Sequence, residues 1–296
     1  MAGPFPRDPG RDRYCVIGNP IGHSLSPRIH QAFAEQTGER IDYRALFAPR
    51  DRFRESALEF FTAGGRGMNV TLPFKEEAWA FASLRSARAE LAGAVNTLWR
   101  DDDGHYHGDN TDGIGFLRDF LGNHGGRLQA QRVLVLGAGG AVRGVLGPLL
   151  EQRPARLVVS NRTLSKARAL CERFSPLGEI AIHEYGALPG QQFDAVINGT
   201  AASLGAELPP LPAGILAAGA WCYDLVYAAG PTPFMRWGLE CGAVRALDGL
   251  GMLVEQAAEA FYLWRRVRPA TGPIIRMLRQ EWLDGAAGNS VARRMA

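Results

Sequence analysis

The chain has 296 residues, of which 46% are hydrophobic and 21% are charged. This length predicts two domains, and the composition excludes a disordered chain and a small disulfide scaffold. The 33 basic and 30 acidic residues give a net charge of +3, which is too even to indicate a nucleic-acid partner. The N-terminus lacks the apolar core of a signal peptide, and no segment reaches the roughly 20 apolar residues of a membrane helix. We therefore expect a cytoplasmic protein without membrane contact.

The four cysteines are widely spaced and include no Cys-x-x-Cys pair, which argues against a zinc cluster or a redox motif. The histidines show no ligand spacing that is supported by carboxylates or cysteines. The sequence therefore predicts free thiols in a reducing compartment and no metal site.

The first part of the chain alternates strand and helix patterns. An apolar run at 14–17 predicts a strand, and Ser26-Pro27 predicts the start of a helix that Gly38 ends, with Ser26 as its N-cap. Further elements of this part are a strand at 41–47, a helix at 52–62, a strand at 68–72, a helix from Pro73 that holds Lys75, and a hairpin of 95–100 with 105–108. These patterns predict an α/β domain.

The second part repeats strand, glycine turn and helix. An amphipathic helix after residue 113 ends near Leu121, and an apolar strand follows at 132–136. Further strands are predicted at 157–160, 181–184, 195–198, 221–226 and 244–247, and helices at 250–266 and 273–283. Strands that alternate with helices in this way are typical of a doubly wound parallel sheet, so the sequence predicts a Rossmann-type fold here.

The strongest general motif lies at the end of the strand at 132–136. The turn Gly137-Ala138-Gly139-Gly140-Ala141 leads from that strand into a helix. Glycines in such a turn let the backbone approach a pyrophosphate, which then lies at the helix N-terminus. Val142 stands where the strict spacing has Gly or Ala, so the motif alone leaves a plain tight turn open. Its place between a strand and a helix predicts dinucleotide binding.

The residues after the next strand indicate which dinucleotide binds. An NAD site has a carboxylate about 20 residues further on, which binds the ribose 2′-hydroxyl. Here the chain reads Ser160-Asn161-Arg162-Thr163, with Lys166 one turn into the helix. No carboxylate is present to repel a 2′-phosphate, and Arg162 with Lys166 can neutralise one, which favours NADP. The alternative is that Thr163 caps a helix and Arg162 is a solvated surface residue.

Polar residues stand at loops and strand ends of the first part. Ser24 and Ser26 precede a helix, where two hydroxyls meet unpaired N–H groups, a place that suits a carboxylate. Taken alone, these residues are better explained by Ser26 as a simple N-cap and Ser24 as a loop residue. Other polar segments, each an ordinary turn or surface feature by itself, are Asn69-Val70-Thr71, Lys75, Asn96-Thr97 and Asn110-Thr111-Asp112. Their joint appearance indicates a site.

Together these segments resemble the shikimate dehydrogenase family. The resemblance runs in family order from Val16 to about Gln256, which is nearly the whole chain. The matching segments are GNPIGHSLSP at 18–27, NVTLPFK at 69–75, GAVNT at 93–97, GDNTDG at 108–113, GAGGA at 137–141, NRT at 161–163 and GLGMLVEQ at 249–256.

The resemblance implies a fold and an activity. The fold is an N-terminal α/β substrate-binding domain at 1–111, completed by C-terminal helices at 249–296, and a Rossmann-type NADP-binding domain at 112–248, with a cleft between them. The activity is the NADPH-dependent, reversible reduction of 3-dehydroshikimate to shikimate, in the pathway to aromatic compounds.

The same resemblance implies the role of each site residue. Lys75 would be the acid/base, beside Asp112, and Ser24 and Ser26 would hold the substrate carboxylate. Residues near the substrate ring would be Asn69, Thr71, Asn96, Asp112, Tyr227 and Gln256. Cofactor-binding residues would be Gly249 and Met252 by the nicotinamide, Gly137, Ala138, Gly139, Gly140 and Ala141 at the diphosphate, and Asn161, Arg162, Thr163 and Lys166 around the 2′-phosphate.

Two departures and two alternatives accompany the resemblance. Ala201 follows Thr200, where the family usually has a serine, and the segment AAGP at 228–231 follows Tyr227 in place of the more usual proline-containing turn. A quinate or broad-specificity shikimate/quinate dehydrogenase shares most of the motifs, and Arg162 favours the NADP-linked enzyme over it. A non-catalytic sensor of NADP or shikimate is the other alternative, and Lys75 with Asp112 argues against it. The protein is expected to be a monomer or a homodimer whose partner is a small-molecule substrate.

Overall fold

The structure is a computed structural model that describes residues 10–200, 202 and 207–294, with side chains through 284. The chain forms two compact units. Unit 1 contains the chain up to Gly115, Arg143–Gly147 and Gln256–Pro269, and unit 2 contains Phe116–Val142, Pro148–Glu255 and the chain from Ala270. The domain boundaries that the sequence suggested at 111 and 249 stay predictions.

Unit 1 is built on a mixed sheet. Its strands are β1 (Asp12–Gly18), β2 (Ile41–Phe47), β3 (Gly65–Val70), β4 (Leu84–Arg85), β5 (Thr97–Arg100) and β6 (Tyr106–Asp109). They lie in the order β2-β1-β3-β5-β6-β4. β1 is parallel to both neighbours, whereas β5 is antiparallel to β3 and β6. The helices that begin in this part are α1 (Ser26–Thr37), α2 (Phe53–Thr62), α3 (Lys75–Phe81), α4 (Ala87–Ala92) and α5 (Asp112–Leu117).

The start of α1 differs from the sequence prediction. Leu25 is the N-cap, with a helical backbone at φ −80° and ψ −10°, and Ser26 is already the first helical residue. The predicted N-cap role of Ser26 is therefore wrong. The Ser24 hydroxyl instead accepts a hydrogen bond from the Ser26 N–H at 3.3 Å, so it satisfies one free donor of the helix end. Gly38 ends α1 in the left-handed region, at φ 73°, as its sequence position predicted.

Unit 2 is built on a parallel sheet. Its strands are β7 (Arg132–Leu136), β8 (Arg156–Ser160), β9 (Ala181–His183), β10 (Phe193–Asn198), β11 (Leu216–Asp224) and β12 (Arg245–Leu247). They lie in the order β12-β11-β10-β7-β8-β9, and every neighbouring pair is parallel. In chain order this is the 3-2-1-4-5-6 arrangement of the Rossmann fold, which reverses direction between β7 and β10. The predicted doubly wound sheet is confirmed.

The remaining helices follow the strands of unit 2. They are α6 (Gly140–Glu151), α7 (Leu164–Phe174), α8 (Pro233–Glu240), α9 (Leu250–Arg265) and α10 (Thr271–Arg294). A π-helical turn, Arg118–Asn123, continues α5, and its His124 N–H donates to the Asp119 carbonyl at 3.1 Å. Among the described residues, no helix is both long and apolar enough to cross a membrane.

Candidate active site

A lysine and an aspartate form an ion pair in unit 1. Lys75 is the first residue of α3 and Asp112 the first residue of α5. Lys75 Nζ lies 2.5 Å from Asp112 Oδ2, and the two side chains are 15% and 7% exposed. The pair is therefore largely shielded from water. A charge-assisted hydrogen bond of this kind holds the amine in one position.

Asn96 orients the carboxylate of this pair. Its Nδ2 lies 2.8 Å from Asp112 Oδ1, 2.9 Å from Thr111 Oγ1 and 3.2 Å from Gln256 Oε1. An amide nitrogen carries two hydrogens, so these three acceptors compete for two donors. Its Oδ1 accepts from the Thr111 N–H at 2.9 Å. The buried Asn96 amide thus fixes both the loop and the carboxylate that faces Lys75.

Asn69 lies at the end of β3 with its amide held from both sides. Its Oδ1 lies 2.7 Å from the Tyr43 hydroxyl, and its Nδ2 lies 3.3 Å from Thr97 Oγ1. Burial raises the pKa of Tyr43 well above its ordinary value, so its hydroxyl keeps its proton. Tyr43 was missed at the sequence level, because its place in an alternating strand indicated only a core residue.

The serine loop lies near the same polar group. Burial raises the pKa of Tyr43, and Ser26 opposes that rise, while the Tyr43 hydroxyl lies 2.7 Å from Asn69 Oδ1. Thr71 packs against β1, where a side chain at Gly18 would bring its Cβ within 2.5 Å of Thr71 Cγ2. Unit 1 contains the predicted substrate residues Ser24, Ser26, Asn69, Thr71, Lys75, Asn96, Asp112 and Gln256. Hydrogen bonds join five of them, Asn69, Lys75, Asn96, Asp112 and Gln256. Tyr227 belongs to unit 2.

Two more residues support Asp112, namely Asn110, which stands in a polar segment noted in the sequence, and Gly144, which no sequence pattern singled out. Asn110 Oδ1 accepts from the Asp112 N–H at 3.2 Å, and Asn110 Nδ2 donates to the Ala94 carbonyl at 3.0 Å. A Cβ at Gly144 would lie 2.8 Å from Asp112 Cβ. Glycine is needed at that position because the aspartate packs directly on the helix backbone. Only the three-dimensional contact identifies Gly144, since α6 lies far along the chain from Asp112.

The turn between β7 and α6 in unit 2 has the features of an anion site. Gly137 has φ 104°, and a Cβ there would lie 3.0 Å from the Gly199 carbonyl oxygen, so glycine is required. Gly139 is the N-cap of α6 and provides no side-chain cap, and a Cβ on it would meet no atom within 4 Å. Open space therefore faces N–H groups at the start of a helix, as a diphosphate requires. Ala138, Gly140 and Ala141 line the same turn, each half-buried.

The end of β8 fits a phosphorylated ribose. Ser160 Oγ is buried and has no hydrogen-bond partner within the described part of the chain. Asn161 Nδ2 donates to the Thr163 carbonyl at 2.8 Å, and the Thr163 side chain makes no cap bond to α7. Arg162 and Lys166 are exposed. A buried hydroxyl without a partner leaves a hydrogen-bonding group for a ligand, and the exposed cations Arg162 and Lys166 on the segment that follows suit the 2′-phosphate of NADP.

The start of α9 carries the other predicted cofactor residues. Gly249 allows a close approach, because a Cβ there would lie 2.4 Å from the Leu225 carbonyl oxygen. Met252 is buried in the first turn of α9. Ala201, where the chain departs from the family pattern, lies outside the described residues.

One group of metal-ligand types lies away from this site, on the hairpin of β5 and β6. Asp101, Asp103 and His105 offer ligand atoms within 4.8 Å of one another. The Asp101 carboxylate already accepts from the His105 N–H and contacts His107 Nε2, each at 2.8 Å. The His107 hydrogen bond lowers the pKa of Asp101 to about 2. The absence of a metal site stays a prediction.

Fold and site together define a class. One unit has the Rossmann strand order with a glycine turn, and the other holds a shielded lysine–aspartate pair, which is the combination expected of a two-domain dinucleotide-dependent α/β protein.

Family descriptions match three segments. They are "Shikimate dehydrogenase substrate binding domain" at 16–98, "Shikimate / quinate 5-dehydrogenase" at 121–205 and "Shikimate 5′-dehydrogenase C-terminal domain" at 249–276.

Individual relatives agree with these matches. The shikimate dehydrogenase (NADP(+)) of Methylococcus capsulatus is 57% identical over 270 residues, which cover 91% of this chain and 97% of that protein. An Ael1 enzyme from Pseudomonas putida has a structure with TM-score 0.84 and 49% identity, covering 90% of this chain and 98% of that one. A Thermus thermophilus shikimate 5-dehydrogenase in complex with NADP(H) and shikimate gives a TM-score of 0.81 at 34% identity, with coverage of 91% and 99%. The chain belongs to the shikimate dehydrogenase family.

Proposed function

We propose that this chain is an NADP-linked shikimate dehydrogenase, which reversibly reduces 3-dehydroshikimate to shikimate. The observation that carries the proposal is the 2.5 Å pair of Lys75 Nζ and Asp112 Oδ2, held in a buried amide network. A ketone that gains a hydride needs a positioned proton donor, and this pair supplies one. The names of the relatives, which specify shikimate and NADP(+), support the same substrate and cofactor.

Lys75 acts as the acid/base in this proposal. NADPH, when bound, supplies the hydride. The ammonium of Lys75 donates a proton to the substrate oxygen as negative charge develops there, and in the reverse direction the neutral amine accepts the alcohol proton. Asp112 holds Lys75 Nζ in place, and Asn96 keeps the Asp112 carboxylate turned toward it.

The other polar residues of unit 1 bind and orient the substrate. Ser24 and Ser26 stand at the N-terminus of α1, where the helix dipole and hydroxyl donors favour a carboxylate. Residues that we assign to the ring hydroxyls are Asn69, Thr71, Asn96, Asp112 and Gln256. Tyr227 is assigned to the substrate from unit 2 on the family resemblance.

Unit 2 would hold the cofactor. The turn from Gly137 to Ala141 suits the diphosphate, because open space faces uncapped N–H groups. Ser160, Asn161, Arg162, Thr163 and Lys166 surround the place where a 2′-phosphate would lie. Gly249 and Met252 are assigned to the nicotinamide end.

We further propose that the protein works in the cytoplasm on small molecules. The four cysteines, Cys15, Cys171, Cys222 and Cys241, are free thiols, which is the state expected in a reducing compartment. Whether the protein is a monomer or a homodimer is measured directly by light scattering on the purified chain.

The test is cofactor reduction by the purified protein with shikimate or quinate, each paired with NADP⁺ or NAD⁺. We expect rapid turnover with shikimate and NADP⁺ and a much lower kcat/KM in the other three pairings. Comparable turnover with quinate or NAD⁺ would assign the chain to the broad-specificity branch. If no pairing gave turnover while the protein still bound NADP⁺, the assignment of an enzymatic activity would be overturned and a non-catalytic sensor would be favoured.

A further inference from the structure

Two buried carboxylates hold the first turn of α9. Asp248 is 3% exposed, and its Oδ1 accepts from the Leu250 N–H at 3.2 Å. Arg279 of α10 donates to both oxygens of the same carboxylate. Asp119 is 1% exposed, and a Cβ at Gly251 would lie only 1.9 Å from Asp119 Oδ1. A carboxylate that lies directly on the backbone of α9 excludes any residue but glycine there.

Tyr223 holds Asp119, the carboxylate that lies against Gly251 of the same turn. The Tyr223 hydroxyl donates to Asp119 Oδ2 at 2.7 Å, and a Cβ at Gly251 would lie within 2.5 Å of both oxygens of that carboxylate. Burial and the neighbouring Asp119 raise the pKa of Tyr223 well above its ordinary value, so the hydroxyl remains a donor. Tyr223 therefore fixes the carboxylate of Asp119 against the backbone of α9 at Gly251, next to Met252.

A second contact lies one helical turn further along α9. Asn123 Nδ2 lies 2.9 Å from Asp119 Oδ1 and 2.9 Å from Glu255 Oε1. Gly251 and Glu255 are four residues apart and share one face of the helix, and Asp119 and Asn123 have the same separation in the π-helical turn. Two contacts at matching spacing oppose both a slide and a rotation of α9. A single contact would permit rotation about it.

We propose that Tyr223, Asp119 and Asn123 are positioning residues that set the register of the first turn of α9 and thereby place Met252 against the nicotinamide end of the cofactor. This inference rests on the proposed function, which assigns Met252 to the nicotinamide. None of the three needs to touch the cofactor. Within the cofactor, their effect is confined to the nicotinamide end, because the residues assigned to the diphosphate and the 2′-phosphate lie on other elements, at the ends of β7 and β8.

The test is Tyr223→Phe, which removes one hydroxyl and keeps the ring that packs edge-on against Phe116. Direct titration, by calorimetry or protein fluorescence, measures the Kd of NADP⁺ and of 2′-phosphoadenosine 5′-diphosphoribose, which lacks the nicotinamide. We expect the Kd of NADP⁺ to rise about tenfold, as one lost hydrogen bond allows, and the Kd of the analogue to stay within twofold of the parent value. In turnover, the KM for NADP⁺ rises while the KM for shikimate changes by less than about threefold.

Tyr14→Phe is the matched control. Tyr14 is a buried tyrosine of unit 1, and its hydroxyl accepts from Arg265 Nη1 at 3.4 Å. The same atom is deleted there, so any general cost of losing a buried hydroxyl is reproduced. We expect no change in either Kd.

The proposal would be overturned if Tyr223→Phe raised the Kd of NADP⁺ and the Kd of the analogue by the same factor. It would also be overturned if both Kd values stayed unchanged and only the melting temperature fell. If Tyr223→Phe does not fold, Asn123→Ala undergoes the same pair of titrations with the same expectation. The binding experiment requires no shikimate, so its result does not depend on the outcome of the substrate assay. Loss of shikimate turnover in the parent protein contradicts the proposed function and leaves the two Kd values to test the positioning role.

Discussion

Lys75 is one of only two lysines in the chain, and its proposed role needs an amine that can exchange a proton. We expect Lys75→Ala to lower kcat at least about 100-fold, while the KM for shikimate changes much less. Lys75→Arg should fail to restore kcat, because a guanidinium keeps the charge but holds its proton too tightly to exchange it. Steady-state kinetics in both reaction directions measure these effects.

The matched control for Lys75 is Arg66→Ala, which removes an exposed cation of unit 1. Arg66 is 58% exposed and pairs only loosely with Asp12, at 3.5 Å. Its kcat should equal that of the parent protein. Recovery of kcat in Lys75→Arg would show that the positive charge suffices and would contradict the proton-transfer role.

Arg162 tests the choice of cofactor at the residue scale. Its proposed partner is the 2′-phosphate, which NAD lacks, so Arg162→Ala should raise the KM for NADP⁺ roughly tenfold and leave the KM for NAD⁺ unchanged. Arg173→Ala removes the same charge from the last turn of α7, the helix that begins two residues after Arg162. That control should preserve the ratio of the two KM values. A parallel rise for both cofactors in Arg162→Ala would refute a phosphate contact.

Residue types and their order could be predicted from the sequence, whereas distances could not. Both members of the Lys75–Asp112 pair stand in recognisable segments 37 residues apart, but only the fold brings Nζ to 2.5 Å from Oδ2. Tyr43 and Asp119 were missed for one reason. Each has its partner on a distant segment, and the local pattern around it describes only a strand or an amphipathic helix.

At the scale of elements, β3 packs closely against α9 through a glycine. A Cβ at Gly67 would lie 2.7 Å from Trp264 Nε1 and 2.9 Å from the Leu98 carbonyl, the two atoms that share a 3.2 Å hydrogen bond. We expect Gly67→Ala to lower the free energy of unfolding by about 1–3 kcal/mol, because the indole must move off the strand. Urea unfolding followed by tryptophan fluorescence measures the change.

Gly186→Ala is the control for Gly67→Ala. Gly186 has no atom within 4 Å of its would-be Cβ and no positive φ. Its substitution should leave stability unchanged or slightly raised, since alanine restricts the unfolded chain. Equal stability of the two variants would contradict the close packing of Trp264 on β3.

Element positions followed from local patterns better than element ends did. The predicted hairpin of 95–100 with 105–108 is present as β5 and β6, and the helix predicted at 250–266 is α9. The two-residue strand β4 was not predicted, because Leu84–Arg85 is too short for any periodicity. The π-helical turn was also missed, since an amphipathic pattern does not distinguish a π turn from an α-helical one.

At the scale of the whole molecule, the alternation of strands and helices sufficed to predict the sheet of unit 2. Right-handed crossovers leave few arrangements for such a chain, and the Rossmann order is one of them. The sheet of unit 1 has no comparable rule, because β5 and β6 form an antiparallel hairpin within an otherwise largely parallel sheet. Its order became known only from the structure.

At the same scale, one buried histidine lowers the stability of the whole protein in acid. His30 is fully buried, and its ring stacks on Tyr43 at 4.1 Å, with Phe33, Phe261 and Trp264 around it. Burial lowers its pKa to about 3, against the opposing effect of the nearby Asn69 amide. The folded protein therefore holds His30 neutral, whereas the unfolded chain takes up a proton below about pH 6.5.

This difference in protonation costs stability as the pH falls from about 6.5 toward 3. Between pH 7.5 and 5.0 the parent protein should lose about 2 kcal/mol more of its unfolding free energy than His30→Phe, which keeps a stacked ring and cannot titrate. Urea titrations of both proteins at the two pH values give that difference, and any packing cost of the phenyl ring cancels because it is the same at both. His23→Gln, which removes an exposed histidine, should keep the acid sensitivity of the parent. A His30→Phe protein that loses as much stability as the parent would mean that the imidazole is protonated inside the fold.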